Sequence, residues 1–498
     1  MQTINSAIAW WAKNRPAMTA LSLGGDRLNY RDYAAWSERV GDWLIGLGVA
    51  SGDRVSICAT NSLEYCALTL GILRAGAIAA PLNVRYTAHE LAEIIEDHRP
   101  VLIVAGDDEV AKVEGAGVPV RRIGEVAAFR RGEAVVIDLD LDPDACVVII
   151  STSGSTARPK GVMFSHRTML SYVAGYALEE SALAAGGGVV VVAPLATSAG
   201  MVQLVHYTVL GCSLFLEPVF TAERYLRIPV EEKIAGFGGV PTFFERIAAV
   251  PGFVQADLSH LKIATTGGSR VSRALQEAWA AKGIVIRQIY GQTECGGNAT
   301  MMPADLAAAM PEKCGRGGVF TELRIIDAEG KTLPPGEPGQ ILIRGPGTMI
   351  GYWNNPKATA EVLRDGWLHT GDIGVLDEDG LLTFVDRMKD LVISGGLNIS
   401  AAEVERCVSE FPGVEEVAVI AAKDARFGET PLAVVYGQGP IDVAALIAHC
   451  NQRLADFKVP RYVAFESEPL PRLATQKISK PILREKYKDA DQRLERVR

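Results

Sequence analysis

Val147-Val148-Ile149-Ile150-Ser151-Thr152-Ser153-Gly154-Ser155-Thr156-Ala157-Arg158-Pro159-Lys160-Gly161 is the stretch from which the rest of the chain can be read. It opens on four consecutive β-branched apolar residues, as a strand buried on both faces does. It then passes into small hydroxylated residues and closes on Pro-Lys-Gly. Short hydroxyls and close backbone amides suit phosphate oxygens, glycine permits φ > 0, and lysine adds a point charge. The GxxxxGK[ST] spacing is absent, so this is a different phosphate cradle from the P-loop. A solvated Ser/Thr turn is the competing reading for the segment in isolation. The order of residues directly after a strand favours the cradle.

Working outward, residues 54–58 read as a strand, 63–74 as a helix, 77–80 as a strand, 89–98 as a helix and 101–104 as a strand. This rhythm predicts βαβ units and largely parallel sheets covered on both faces. It recurs from about 145 to 290, which predicts two doubly wound α/β subdomains. Past 315 the pattern changes. Residues 323–326 and 340–343 flank Pro334-Pro335-Gly336, and Asp377-Glu378-Asp379-Gly380 joins two further strands, so a β-rich subdomain is expected. After Arg387 the chain reads as a small α+β unit, with helices over 401–410 and 441–454 and strands over 414–421 and 432–436.

Composition narrows the class. A chain of 498 residues exceeds one ordinary core, so at least two domains are expected. An apolar fraction of 48% and a charged fraction of 22% are those of a soluble globular protein. The net charge is −9, without a basic run, which argues against a nucleic-acid partner. The 8 cysteines show no CxxC pair, so reduced, mostly buried thiols in a cytoplasmic protein are expected. Lys13 and Arg15 near the start exclude a signal peptide. The longest uncharged apolar run, 183–201, contains Gly186-Gly187-Gly188 and Pro194 and reads as a strand plus loop rather than a membrane span.

Two further motifs carry chemistry. In Arg287-Gln288-Ile289-Tyr290-Gly291-Gln292-Thr293-Glu294, Tyr290 offers a flat face for a purine, Thr293 a hydroxyl and Glu294 a hard oxygen for Mg²⁺. In Thr370-Gly371-Asp372, the aspartate could grip two ribose hydroxyls. Each alone also reads as ordinary surface or turn chemistry.

Taken together, the motifs resemble the ANL superfamily of adenylate-forming enzymes, acyl-CoA synthetases among them. The resemblance runs from about residue 8 to 487. It is carried by TSGSTARPKG (152–161), YGQTE (290–294), Gly351-Tyr352-Trp353 with Pro356, Gly366-Trp367-Leu368-His369-Thr370-Gly371-Asp372, and Asp386-Arg387-Met388-Lys389-Asp390. It implies a two-step reaction using ATP, Mg²⁺ and coenzyme A. A carboxylate attacks the α-phosphate to give an acyl-adenylate and pyrophosphate, and a thiol then displaces AMP.

The resemblance also implies roles. Thr152, Ser153, Gly154, Ser155, Thr156 and Lys160 would hold the β- and γ-phosphates. Gly267, Gly268 and Ser269, with Gln288, Tyr290 and Gly291, would enclose adenine. Asp372 and Arg387 would contact ribose and Thr293 the α-phosphate. Glu294, with Thr152, would serve the metal. Lys477 would bridge the attacking carboxylate and the adenylate. Lys389 would be the hinge, giving domains 1–386 and 390–498 about a hinge at 387–389, the smaller one mobile. Ser394, Gly395 and Gly396 would border a CoA tunnel. Ala196, Thr197, Gly200, Met201, Phe237, Gly239 and Gly296 would line the acyl pocket.

The chain departs from the family pattern at several points. Ala196 and Thr197 replace a bulky aromatic-His pair, so a ring or branched acid should fit better than acetate. Arg270 stands where proline is common, and could meet a second carboxylate or simply solvent. His206 either faces the pocket or is a core histidine. Gln476 replaces a glycine before Lys477. Ile393 stands where beetle luciferases place a lysine, which weighs against light emission. The leading expectation is a stand-alone carboxylate–CoA ligase, a monomer or homodimer without stable membrane insertion, acting on an aromatic, alicyclic or medium-chain acid. The alternatives are loading of a separate carrier protein and a non-catalytic nucleotide-binding relative.

Overall fold

Helix Leu63–Arg74 illustrates how the sequence builds the first layers. The Ser62 hydroxyl caps it by accepting from the Tyr65 amide at 3.1 Å, and Glu64 and Arg74 oppose the dipole at either end. Nearly all its side chains are apolar, and it is buried on nearly every side. Helix Ala88–His98 starts with a capping box between Thr87 and Glu90 and faces the core with Leu91, Ile94 and Ile95. The computed structural model describes residues 3–133, 140–152, 159–183, 186–268, 271–437, 439–473 and 477–498.

The chain forms two units. Unit 1 comprises Met1–Arg324, Leu342–Thr370 and Asp377–Thr383. Among its described residues are two large sheets. In one, Ile286–Gln292, Ile263–Thr266, Gly236–Gly239, Gly188–Val191, Ser213–Leu216 and Thr19–Leu23 run parallel in that order. Antiparallel strands extend both edges. In the other, Cys146–Thr152, Ile78–Pro81, Arg54–Cys58, Leu102–Ala105 and Val120–Arg122 are parallel, and Lys160–Ser165 and Gly351–Tyr352 add antiparallel strands beside Cys146–Thr152. The expected α/β class, with two largely parallel sheets, is the observed one. A β-rich region follows, and its strands Glu322–Ile326, Gly339–Arg344 and Trp367–Leu376 each pass from one unit into the other along their length.

Unit 2 comprises Ile325–Ile341, Gly371–Leu376 and Phe384–Arg498. Its sheet pairs Val414–Asp424 with Gly428–Gly437 in an antiparallel ladder, and Tyr462–Glu466 lies parallel to the latter. Side chains alternate between two cores, as the strand period of two requires. Val419, Ala433 and Val435 pack against helices Ala401–Ser409 and Val443–Arg453. Ala418, Ile420, Leu432 and Val434 pack against Leu483, Tyr487 and Ala490.

No described helix is long and apolar enough to cross a membrane. The cysteines are free thiols, six of them buried.

Candidate active site

The predicted phosphate cradle is the connection of a β-hairpin. Cys146–Thr152 and Lys160–Ser165 are antiparallel, with Ser151 opposite Gly161 and Thr152 opposite Lys160. Ser153, Gly154, Ser155 and Thr156 lie outside the described residues, as do Ser269, Arg270 and Gln476. The Thr152 hydroxyl donates to the Lys160 carbonyl at 3.3 Å. Gly161 is required by its surroundings, because a Cβ there would lie 2.7 Å from Ile149 Cγ2 and 2.9 Å from His98 Nε2.

That hairpin aims Lys160 at the second motif. Lys160 Nζ stands 5.0 Å from the centroid of the Tyr352 ring, and the Tyr352 hydroxyl donates to Glu294 Oε1 at 2.8 Å. One tyrosine therefore joins the cradle lysine to the expected metal carboxylate. Tyr352 is buried, and burial first, then the neighbouring Glu294, holds its phenol neutral far above its ordinary range. It is a permanent donor. Sequence reading noted the Gly351-Tyr352-Trp353 motif without giving Tyr352 a role.

Thr293 and Glu294 sit in the single 3-10 turn Thr293–Cys295 at the end of strand Ile286–Gln292. The Cys295 thiol braces the turn, donating to the carbonyls of Gln292 at 3.0 Å and Gly297 at 3.1 Å. Burial pushes that thiol up to about 11, so it stays protonated. The Met349 amide donates to the Glu294 carbonyl at 2.9 Å.

Other predicted positions have structural work. Gln288 is buried, and its amide donates to the carbonyls of Pro311 and, at 3.1 Å, Lys313, while its oxygen accepts from the Val271 amide. Tyr290 is largely buried rather than exposed. A Cβ at Gly291 would meet the Gly297 carbonyl at 2.0 Å, so the hairpin itself demands glycine there. Gly267 packs on Ile289, and Gly268 is exposed at φ +88°.

Two cavities open in unit 1. The first is lined by Phe164, Thr168, Met169, Tyr172, Val173, Val202, Val205, His206, Gly296 and Gly347. The second shares Tyr172 and is also lined by Tyr176, Asn298, Thr300 and the exposed Val319 and Phe320. Of the predicted acyl residues, Gly296 lines the first cavity, and neither lining includes the rest. Thr197 caps helix Ser198–Leu210, and Gly200 packs on the Pro194 carbonyl, where a Cβ would approach to 2.2 Å. Ala196 and Met201 are buried. Phe237 belongs to an aromatic core, 5.0 Å from Phe244 and 5.6 Å from Trp279, and Gly239 packs on Phe243. Helix His166–Glu179, which supplies much of the wall, was missed. Its signal was available: Thr168, Met169, Tyr172, Val173 and Tyr176 repeat at three- and four-residue spacing.

Unit 2 gathers the remaining predicted residues. Arg387 Nε lies 3.9 Å from Asp372 Oδ1. Lys477 ends a loop closed by the Arg472–Ile478 bridge and by the Leu473 amide donating to the Lys477 carbonyl at 2.8 Å. The ammonium of Lys477 is held below its usual range, first by lost hydration, then by Arg387, with Asp372 opposing. Lys389 is lowered for the same leading reasons. Both lysines expose surface to solvent, which screens these effects. Lys389 lies between two anchored carboxylates. Asp386 accepts from the Ser400 hydroxyl at 2.8 Å and the Ala402 amide at 3.0 Å, and Asp390 pairs with Arg484 at 2.6 Å. Gly395 and Gly396 form a two-residue hairpin at φ +58° and +83°, conformations that favour glycine. Ser394 is buried beneath it.

Comparison with known proteins assigns this arrangement to a family. Residues 8–353 match the AMP-binding enzyme model, and 403–477 match the AMP-binding enzyme C-terminal domain. The chain belongs to the AMP-binding enzyme family. It is 36% identical to a feruloyl-CoA synthase from Amycolatopsis sp, covering 97% of this chain and 99% of that one. It is 32% identical to the long-chain-fatty-acid–CoA ligase FadD13 of Mycobacterium tuberculosis, covering 93% of each. Among solved structures it resembles o-succinylbenzoate CoA synthetase from Bacillus subtilis in complex with its acyl-adenylate, with TM-score 0.88, 26% identity and coverage of 96% and 97%. The same synthetase with ATP and a magnesium ion gives TM-score 0.87 at 26% identity, covering 95% and 98%. The protein is an acyl-CoA synthetase, an AMP-forming acid–CoA ligase that uses ATP, Mg²⁺ and coenzyme A. The donors present fit magnesium. Mg²⁺ needs only one or two carboxylates beside substrate phosphates, and Glu294 and Thr152 are hard oxygen donors. No described group of three or more His, Cys, Asp or Glu forms a closed metal cage.

Proposed function

We propose that the acid is aromatic, alicyclic or medium-chain. One observation carries this reading: the first cavity is lined by Gly296, two residues past Glu294, and its lining contains no carboxylate, lysine or arginine. An apolar wall with few polar groups is the usual character of a small-molecule site. The feruloyl relative supports the aromatic option.

The residues divide the work as the motifs suggest. Residues 152–156 and Lys160 grip the β- and γ-phosphates, and Glu294 and Thr152 hold Mg²⁺. When bound, the ion neutralises charge on the phosphates. The 267–269 segment, Tyr290 and Gly291 border adenine, and Asp372 and Arg387 take the ribose. Gln288 supports that wall through its backbone contacts. The substrate carboxylate oxygen forms a bond to the α-phosphorus while the bond to pyrophosphate breaks. Thr293 and Lys477 stabilise the charge that develops there, as preorganised donors do. In the second step the CoA sulfur bonds to the acyl carbon, and the bond to AMP breaks. Gly395 and Gly396 lie along the pantetheine path, and Lys389 is the pivot of a division into 1–386, 387–389 and 390–498. The protein works in the cytoplasm as a monomer or homodimer.

The test is pyrophosphate release with MgATP across a panel of acids, each with and without CoA. CoA-dependent turnover of an aromatic, alicyclic or medium-chain acid is expected. Best kcat/KM on acetate or propionate would overturn the acid class. A single burst unaffected by CoA would point to another acceptor, such as a carrier protein.

A further inference from the structure

His206 is a buried side chain whose chemistry the reaction does not use. It stands on helix Ser198–Leu210 and lines the first cavity, as does Gly296 next to the turn that carries Glu294. It is 5% exposed, and its Nε2 has no hydrogen-bond partner among the described residues. A buried polar atom left in this way has lost its hydration without compensation, so it calls for a partner. The surroundings are aromatic. The Tyr176 ring meets the imidazole edge-on at 4.4 Å, Tyr172 does so at 5.3 Å, and Tyr207 stacks on it at 5.1 Å. Burial holds the imidazole neutral, with its pKa lowered to about 3, so it offers a hydrogen bond and no charge. A neutral imidazole nitrogen is a donor in one tautomer and an acceptor in the other. A hydroxyl serves either, being both.

We infer that His206 is a specificity residue that hydrogen-bonds a hydroxyl on the far side of an aromatic acid, while the acid's carboxylate lies toward Gly296. The inference rests on the aromatic branch of the acid class proposed above. It assigns no bond-making step to His206.

The experiment compares 4-hydroxycinnamate with cinnamate, and 4-hydroxybenzoate with benzoate, in pyrophosphate release by the full-length enzyme. The wild type and His206→Phe are run side by side, and thermal unfolding checks the fold. The wild type should prefer the hydroxylated member of a pair by roughly 10- to 100-fold in kcat/KM, chiefly through KM. His206→Phe should erase the preference, with the hydroxylated acid falling to the level of its unsubstituted partner. His206→Gln, which retains a donor and an acceptor, should restore part of it and serves if the phenylalanine variant does not fold. Good turnover of aromatic acids without any hydroxyl preference, or a preference that survives in both variants, overturns the role of His206 and leaves the acid class standing. Turnover of aliphatic acids alone overturns the aromatic branch and the inference with it.

Discussion

Tyr352→Phe isolates one atom of the proposed site. The substitution keeps the ring that Lys160 faces at 5.0 Å and removes only the hydroxyl that donates to Glu294 at 2.8 Å. A hydrogen bond to a charged acceptor contributes about 1.5–3 kcal/mol, which is roughly 10- to 100-fold in an equilibrium constant. If Glu294 holds Mg²⁺, the loss falls on the orientation of that ligand, and removing a hydrogen bond that orients a metal ligand costs about 10–100-fold in metal affinity. The assay is pyrophosphate release at saturating acid and ATP while free Mg²⁺ is varied. The half-saturating Mg²⁺ concentration should rise by that factor, and the maximal rate should recover to within a few-fold at high Mg²⁺. Because burial keeps the Tyr352 phenol protonated, the effect should be the same at pH 7 and pH 9. An unchanged Mg²⁺ requirement, with or without a fall in rate, would refute the chain of reasoning from Tyr352 through Glu294 to the metal.

Other substitutions test separate parts of the molecule. Lys477→Ala should slow adenylate formation by about 10²–10³ while sparing thioester formation from a supplied acyl-adenylate, and equal losses in both half-reactions would count against its assigned role. Gly161→Ala places a methyl 2.7 Å from Ile149 and 2.9 Å from His98 Nε2, and should cost about 1–3 kcal/mol in urea unfolding. Stability should also depend on pH through His98 and His166, whose pKa values burial lowers from 6.5 to about 4. Between those values the unfolded chain binds protons that the folded chain does not. Their contribution is therefore complete above about pH 6.5 and lost as pH falls toward 4, up to about 3 kcal/mol each. His98→Gln should flatten that slope, and an unchanged slope would exclude His98 as its source.

The sequence was most informative where local chemistry decides structure. Helix 63–74 matched to the residue because Ser62 caps it and apolar residues fill it. The 377–380 turn was legible because Asp377 accepts from the amides of Asp379 and Leu381. The site was harder to read because its parts meet only through tertiary contacts. Tyr352 acquires its role from Lys160 and Glu294, far away in sequence. Thr197, expected at the acyl pocket, caps a helix start, and Phe237, expected there too, packs in an aromatic core. Apolar character alone does not tell those two kinds of interior apart. Gln288 shows the same limit for a polar side chain, since its amide is taken up by backbone groups from segments distant in the chain.

The wall formed by Tyr172 bears on how such an enzyme can change its diet. The Tyr172 ring borders both cavities and is fixed by the Asn298 amide donating to its hydroxyl at 3.1 Å. Trimming that ring to a small side chain would merge the compartments and admit longer acids reaching toward Phe320. The residues proposed to handle ATP would be left untouched. Substrate range can thus drift through one codon while the energy-coupling chemistry stays constant, so acid preference in a lineage built on this plan should diverge faster than its nucleotide machinery.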